Sequence, residues 1–172
     1  MQERTGLVTF QGQPLTLIGQ EIRVGDPAPD FQVVNLDLQP VSLQTFSGKI
    51  KVISSVPSLD TSVCSTETQK FNQLAGQLGD DTVILTISMD LPFAQKRWCG
   101  AHGVDRVVVL SDYKDRSFGY NYGVYIKELG LLTRAIFVID PRDVVRYIQI
   151  VPEVTEEPDY DAVLQAVRSI RA

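Results

Sequence analysis

Lys51-Val52-Ile53-Ser54-Ser55-Val56, then Pro57-Ser58-Leu59-Asp60-Thr61-Ser62-Val63-Cys64, then Thr82-Val83-Ile84-Leu85-Thr86-Ile87-Ser88: this stretch decides the fold. The first run is dominated by β-branched side chains and reads as a strand. Between the two runs Phe71, Leu74 and Leu78 stand at i, i+3 and i+7, the spacing of one helical face. The second run is apolar without strict alternation, as expected of a strand covered on both sides. Strand, helix, strand over this length is a crossover unit whose two strands lie parallel.

Downstream the pattern repeats. Pro92 suits the first turn of a helix, Leu91, Ala94, Trp98 and Ala101 are placed on its core face, and Gly103 can end it. Arg106 to Leu110 reads as a third strand, and Asp112 to Tyr122 as a weaker helix in which Gly119 costs about 1 kcal/mol relative to Ala. Arg134 to Ile139 and Val144 to Ile150 are strands joined by the turn Asp140-Pro141-Arg142-Asp143, hence an antiparallel pair. Pro158 opens a last helix, with Asp159 and Asp161 near its positive end and Tyr160, Val163, Leu164, Val167 and Ile170 at core spacing.

Upstream, Leu7 to Phe10 and Leu15 to Ile18 form a hairpin on the four-residue connection Gln11-Gly12-Gln13-Pro14, read as a flap added ahead of the main fold. Gly25 to Asp30 punctuates strongly, and Phe31 to Val34 with Pro40 to Leu43 make another short strand pair. The order implies an α/β fold of thioredoxin-like plan: a central mixed β-sheet flanked by helices on both faces. It is read as one domain, residues 1–172, with an N-terminal β-hairpin extension over residues 1–25.

Composition narrows the function. With 16 basic against 21 acidic side chains the formal net charge is −5, and the pI is about 4.8, so there is no electrostatic footprint for nucleic acid. The longest apolar run is Ala135 to Ile139, far short of the ~20 residues of a membrane-spanning helix. Met1 to Gly6 carries an early acid and no apolar core, so no secretory signal is read and the expected compartment is the cytoplasm. Two cysteines and one histidine, His102, cannot supply the usual four ligands of a zinc site, and no structural metal is expected.

Cys64 falls in or near the first turn of the helix that follows the first strand. Unpaired N–H groups and the positive end of the helix dipole favour an anion there, hence the reactive thiolate. A small apolar residue buried at a helix start is the alternative, and position by itself does not decide between them. Cys99 lies 35 positions further on, so the two are no C-x-x-C pair and do not suggest dithiol exchange with client proteins. A structural disulfide is improbable in a reducing compartment, which leaves a transient bond.

Pro57-x-x-x-Thr61-x-x-Cys64 resembles the active-site signature of the peroxiredoxins. Val56 to Thr61 with Val63-Cys64 is similar to the bacterial thiol peroxidase branch, whose members form an atypical two-cysteine group. Asp90-Leu91-Pro92-Phe93-Ala94-Gln95 leading into Trp98-Cys99-Gly100, Arg134-Ala135 before Phe137 to Asp140, and Glu157-Pro158-Asp159-Tyr160 resemble the same branch in the same order. The resemblance spans essentially the whole chain. Two places depart from it: Ser62 stands where proline is frequent, and Lys127 to Leu132 matches no segment.

The resemblance implies a peroxidase that reduces hydrogen peroxide and alkyl hydroperoxides without a cofactor. Cys64 would be the peroxidatic cysteine, passing through a sulfenic acid, and Cys99 the resolving one, in an intramolecular Cys64–Cys99 disulfide recycled by thioredoxin. Pro57 would shield the sulfur, Thr61 would orient the peroxide, and Arg134 would hold thiolate and peroxide oxygens together. A homodimer is implied as well, whereas Phe93, Tyr113, Phe118, Tyr120, Tyr122 and Tyr125 read equally as core, substrate rim or dimer seam.

Magnitudes say where the rate must come from. An ordinary thiol of pKa ~8.5 is about 3% ionised at pH 7, and lowering a thiol to ~6 multiplies the reactive fraction roughly thirtyfold. Lower basicity then gives back roughly tenfold in nucleophilicity. Most of the acceleration therefore falls to donors aimed at the peroxide oxygens, the work implied for Arg134 and Thr61. Cys64 at a helix start and Cys99 inside the next helix are not expected to meet the ~5.5 Å Cα separation of a disulfide while both helices stand, so local unwinding is expected, with Trp98 as its fluorescent reporter.

Overall fold

All six residues of the strand Ile50–Ser55 are buried, because this β-branched run lies at the middle of a sheet covered on both faces. The computed structural model describes residues 1–172. In chain order it holds β1 (Glu3–Phe10), β2 (Gln13–Ile18), β3 (Gln32–Val34), β4 (Pro40–Ser42), a 3-10 turn over Leu43–Phe46, β5 (Ile50–Ser55), α1 (Ser62–Leu78), β6 (Thr82–Ser88) and α2 (Pro92–His102). There follow β7 (Val108–Ser111), α3 (Ser117–Asn121), β8 (Tyr125–Ile126), β9 (Leu131–Leu132), β10 (Ala135–Ile139), β11 (Val145–Ile150) and α4 (Tyr160–Arg171).

Seven strands form the main sheet in the order β11-β10-β5-β6-β7-β3-β4. β5, β6 and β7 run parallel, while β10 pairs antiparallel with β5 on one side and with β11 on the other, so the sheet is mixed. Alternate residues of β5 face two apolar clusters. Val52 packs with Phe71 and Leu74 of α1, Trp98 and Cys99 of α2, and Val163 and Val167 of α4. Ile53 packs on the opposite face with Phe118 and Tyr122 from the α3 region and Phe31. Both cysteines thus belong to the same helical layer.

The α/β architecture and mixed sheet agree with the sequence reading, and four local expectations do not. The hairpin turn has two residues, since Phe10 pairs with Gln13, and Gln11 and Gly12 both take the positive φ that a tight primed turn demands. The hairpin is no free flap either: β2 pairs with β8 and β8 with β9, making a second, four-stranded sheet from a segment with no strand assigned to it. On α2 the buried residues are Pro92, Gln95, Trp98 and Cys99, while Leu91 is exposed, because the Gln95 amide is satisfied inside by Ser88 and the Leu110 carbonyl. Finally α3 is one turn and a half, not eleven residues. Arg116 is left-handed, and the Asp112 carboxylate takes the N–H groups of Phe118 and Gly119, so Asp112 caps the helix from outside.

Candidate active site

β5 delivers the chain to the Val56–Thr61 loop, and Thr61 then starts α1. Its backbone is extended, and its hydroxyl accepts from the Cys64 N–H at 3.3 Å while donating to the Ser58 carbonyl at 3.0 Å. Thr61 is thus the N-cap, and Cys64 sits three residues in, where free N–H groups gather. Cys64 is fully buried, and Pro57 in the loop before it is buried too. The Thr61 backbone is set by its cap, so the threonine predicted from the signature has a structural task whatever else it does.

Arg134 stands immediately before β10, the strand next to β5, and is itself only 1% exposed. Its Nη2 donates to Cys64 Sγ at 3.1 Å, its Nη1 to Glu67 Oε1 at 3.2 Å and its Nε to the Val154 carbonyl at 3.0 Å. Each nitrogen of the fork therefore has an acceptor, and one of the three acceptors is the sulfur. A guanidinium suits this because its planar donors reach several partners at once without losing charge. The antiparallel pairing of β10 with β5, with Ala135 opposite Ser55, brings Arg134 beside the strand end from which the cysteine loop departs.

Glu67 was not foreseen. It lies one turn beyond Cys64 on α1, fully buried, with Oε1 on Arg134 and Oε2 accepting from the Ser54 hydroxyl at 2.6 Å. Burial pushes its carboxyl up, against the pull of Arg134 and Ser54. The signal was in the sequence: counting back from Phe71, Leu74 and Leu78 along the buried face reaches Glu67 and then Cys64, and an acid on an apolar stripe needs a partner. The carbonyl of Val154 had no such signal, since nothing in a side-chain pattern marks a backbone acceptor.

Cys99 is in the other half of the layer, inside α2, and both thiols are free. Cys99 has no helix N-terminus beside it, and burial pushes its thiol up. The two cysteines thus differ in electrostatics: one accepts a hydrogen bond from a buried cation, the other sits among apolar neighbours that favour the neutral thiol. Trp98, beside Cys99, is buried and stacks on His102 with ring centroids 4.5 Å apart. Of the aromatic residues left open by the sequence, Phe118 and Tyr122 are core, Tyr113, Tyr120 and Tyr125 are half-buried, and Phe93 is 68% exposed.

Comparison with known proteins agrees with this arrangement. The family model described as Redoxin matches residues 23–164. A thiol peroxidase of Listeria innocua is 53% identical over 161 residues, covering 94% of this chain and 97% of the relative. A thiol peroxidase of Bacillus subtilis is 51% identical over 163 residues, covering 95% and 97%. Among solved structures, a peroxiredoxin-like protein from Aquifex aeolicus superposes with a TM-score of 0.90 at 44% identity, over 96% of this chain and 98% of that one. The thiol peroxidase from Chromobacterium violaceum gives 0.84 at 25% identity, over 94% and 95%. A thiol held under a guanidinium in this fold, in a chain so similar to thiol peroxidases, belongs to the redoxin family and makes this protein a thiol-dependent peroxidase of the peroxiredoxin kind.

Proposed function

We propose that the chain reduces hydrogen peroxide and alkyl hydroperoxides through Cys64, resolves the product with Cys99, and is returned to the dithiol by thioredoxin. The observation that carries this reading is the 3.1 Å hydrogen bond from buried Arg134 to the sulfur of Cys64. The Cys64 thiolate attacks one peroxide oxygen, the O–O bond breaks, and the other oxygen leaves as alkoxide or hydroxide and takes a proton. The sulfur is then a sulfenic acid. Arg134 stabilises the charge as it passes from sulfur to oxygen, and Thr61, freed from its cap by a small shift, orients the peroxide under the shield of Pro57.

Cys99 then loses its proton and attacks the sulfenic sulfur, which expels hydroxide; the sum is a disulfide and water. Burial holds the Cys99 pKa up and so opposes this step until α2 opens and water reaches the thiol. Thioredoxin, a dithiol, exchanges with the exposed disulfide and restores both thiols. The working unit is the whole chain, residues 1–172, acting as a homodimer, for which sedimentation is the direct check.

The test is the intact mass and thiol count of the reduced protein after one equivalent of peroxide, with Cys99→Ser beside it. Loss of both thiols and about two mass units in the parent, with a gain of about sixteen in Cys99→Ser, is the expected result. Thiols that survive in both proteins would return Cys64 to the status of a buried structural residue. Peroxide-dependent NADPH consumption with thioredoxin and its reductase tests the recycling step.

A further inference from the structure

Outside the Cys64 pocket, a second polar network joins the two segments that carry the cysteines. Its centre is Asp90, in the connection between β6 and α2. The Asp90 carboxylate accepts from the Ser58 hydroxyl at 2.7 Å and the Leu59 N–H at 2.8 Å, both in the loop leading to Cys64. It also accepts from the Ser88 hydroxyl at 2.7 Å. Ser88 in turn accepts from the Gln95 amide at 3.0 Å, and that amide donates again to the Leu110 carbonyl at 2.8 Å. Gln95 is fully buried and stands one helical turn before Cys99.

Two further observations give the network its meaning. The first residue of α2 has no side-chain cap: Leu91 is the N-cap and offers no acceptor. Apart from the Ser111 hydroxyl, which donates to the Asp90 carbonyl, the side chains that hold the start of that helix are therefore Asp90 and Gln95. The Oε1 atom of Gln95 is buried without a donor, a cost that the wound helix bears and an opened one does not. The hold on α2 is real but inexpensive to release.

We propose that Asp90 is a positioning residue that latches the Cys64 loop to the start of the Cys99 helix, so that the two segments are held for peroxide attack together and released together for disulfide formation. The inference rests on the assignment of Cys64 and Cys99 as the redox pair. While Asp90 holds Ser58 and Leu59, the loop keeps Thr61 and Cys64 in register under Arg134. While Ser88 holds Gln95, Cys99 stays buried on a wound helix. Breaking the hub frees both ends, which a cap on either helix alone would not do.

The test separates the two half-reactions by stopped-flow Trp98 fluorescence with quenched mass analysis. Oxidation of Cys64 is timed in a Cys99→Ser background, and disulfide formation in the two-cysteine protein, for the parent, Ser58→Ala, Asp90→Ala and Asp90→Asn. Asp90→Ala is expected to slow peroxide oxidation by about tenfold and to speed disulfide formation by about tenfold, the worth of a charge-assisted hydrogen bond. Ser58→Ala, which removes one loop-side donor and leaves Ser88 and Gln95 paired, slows oxidation and speeds disulfide formation as Asp90→Ala does, by roughly threefold each. Asp90→Asn falls between parent and Asp90→Ala.

A merely structural residue would slow both steps or neither, so the opposite movement of the two rates is the signature. At high peroxide the released variants also accumulate less sulfinic acid, read as a gain of about thirty-two mass units, because resolution competes better with a second oxidation. Disulfide formation at the parental rate or slower in Ser58→Ala and Asp90→Ala overturns the latch. A parent that keeps both thiols after peroxide overturns instead the assignment on which the latch rests. Ser58→Ala carries the result if Asp90→Ala does not fold.

Discussion

Arg134 is the residue on which stability and chemistry meet. Its fork serves Cys64, Glu67 and the Val154 carbonyl in a site from which water is excluded. Replacing it with methionine leaves Glu67 buried beside Ser54 without its cation, a kind of loss that costs about 3–5 kcal/mol when one partner of a buried pair is removed. It also takes the donor from the sulfur and, under the proposed mechanism, from the peroxide, so kcat/KM for peroxide should fall by roughly 10²- to 10³-fold. Denaturant unfolding and single-turnover peroxide kinetics of Arg134→Met read the two effects separately. Glu67→Gln is the informative contrast. Burial already pushes the Glu67 carboxyl up, and a glutamine keeps an oxygen for Arg134 while the Ser54 hydroxyl turns to accept from the new amide. Peroxide kinetics within about tenfold of the parent are expected for Glu67→Gln, since one hydrogen bond is rearranged and none of the donors to sulfur is lost. A fall as large as that of Arg134→Met would show that the charge of Glu67, not its acceptor oxygen, positions the arginine.

Among the elements, α3 shows how a short helix is held in place. Its five residues offer little cooperative stability of their own, and the Asp112 carboxylate, bonded to the N–H groups of Phe118 and Gly119 at 3.1 and 2.8 Å, anchors it. Gly119 is required there because a Cβ would meet Leu132 at 2.9 Å, which answers why the sequence accepts a helix-weakening residue at that point. Burial pushes the Asp112 carboxyl up to about 6, so the folded protein binds this proton more tightly than the unfolded chain does. The contribution favours the fold below the unfolded value near 4 and is lost as pH rises through about 6. Asp112→Asn cannot titrate, so the stability of the parent minus that of the variant should fall by up to about 3 kcal/mol between pH 4 and pH 7. Denaturant unfolding at steps of one pH unit checks this, and a difference independent of pH would rule it out. The elements legible in the sequence were those whose partners are local or apolar: Thr82–Ser88 has the predicted bounds, and α1, α4 and the β10–β11 hairpin follow from periodicity and turn residues. On α2 Trp98 is buried as expected but the rest of the face is rotated, because a Gln95 whose amide N–H groups reach Ser88 and the Leu110 carbonyl can enter the core, and hydropathy cannot see its partners. β8 and β9 have two residues each and exist only because β2 offers an edge, so no local pattern announces them. Around the sulfur, Pro57, Thr61 and Cys64 were readable as a spaced motif, Arg134 through the wider resemblance, and Glu67 only as an acid on an apolar helical stripe, whereas the Val154 carbonyl enters through tertiary contact alone.

At the scale of the whole molecule the N-terminal hairpin reaches the arginine through a third party. Thr9 in β1 exchanges backbone hydrogen bonds with the segment after β11, donating to the Pro152 carbonyl at 2.8 Å and accepting from the Val154 N–H at 2.9 Å. At the hairpin turn the Glu153 carboxylate collects the N–H groups of Gln11 and Gly12 at 3.1 and 2.9 Å and the Thr9 hydroxyl at 2.8 Å. The hydroxyl and N–H of Thr155, then Gly12, hold this carboxyl well below the usual carboxylate range, so it stays ionised and the anchor persists at every pH where the enzyme would work. The residue so pinned on both sides is Val154, whose carbonyl takes the Nε of Arg134. Contacts run without a break from the hairpin tip to the sulfur: Gly12, Glu153, Val154, Arg134, Cys64. Glu153→Gln, on the surface and outside the pocket, should therefore slow single-turnover oxidation of Cys64 by roughly three- to tenfold, the range of coupling carried by contiguous networks, while the thermal midpoint moves little. Gly12→Ala strains the same turn from the other side, because Gly12 has φ +80, and should act in the same direction. If both variants oxidise at the parental rate, Val154 keeps its place without the hairpin, and the arginine is positioned by Glu67 and the sheet alone.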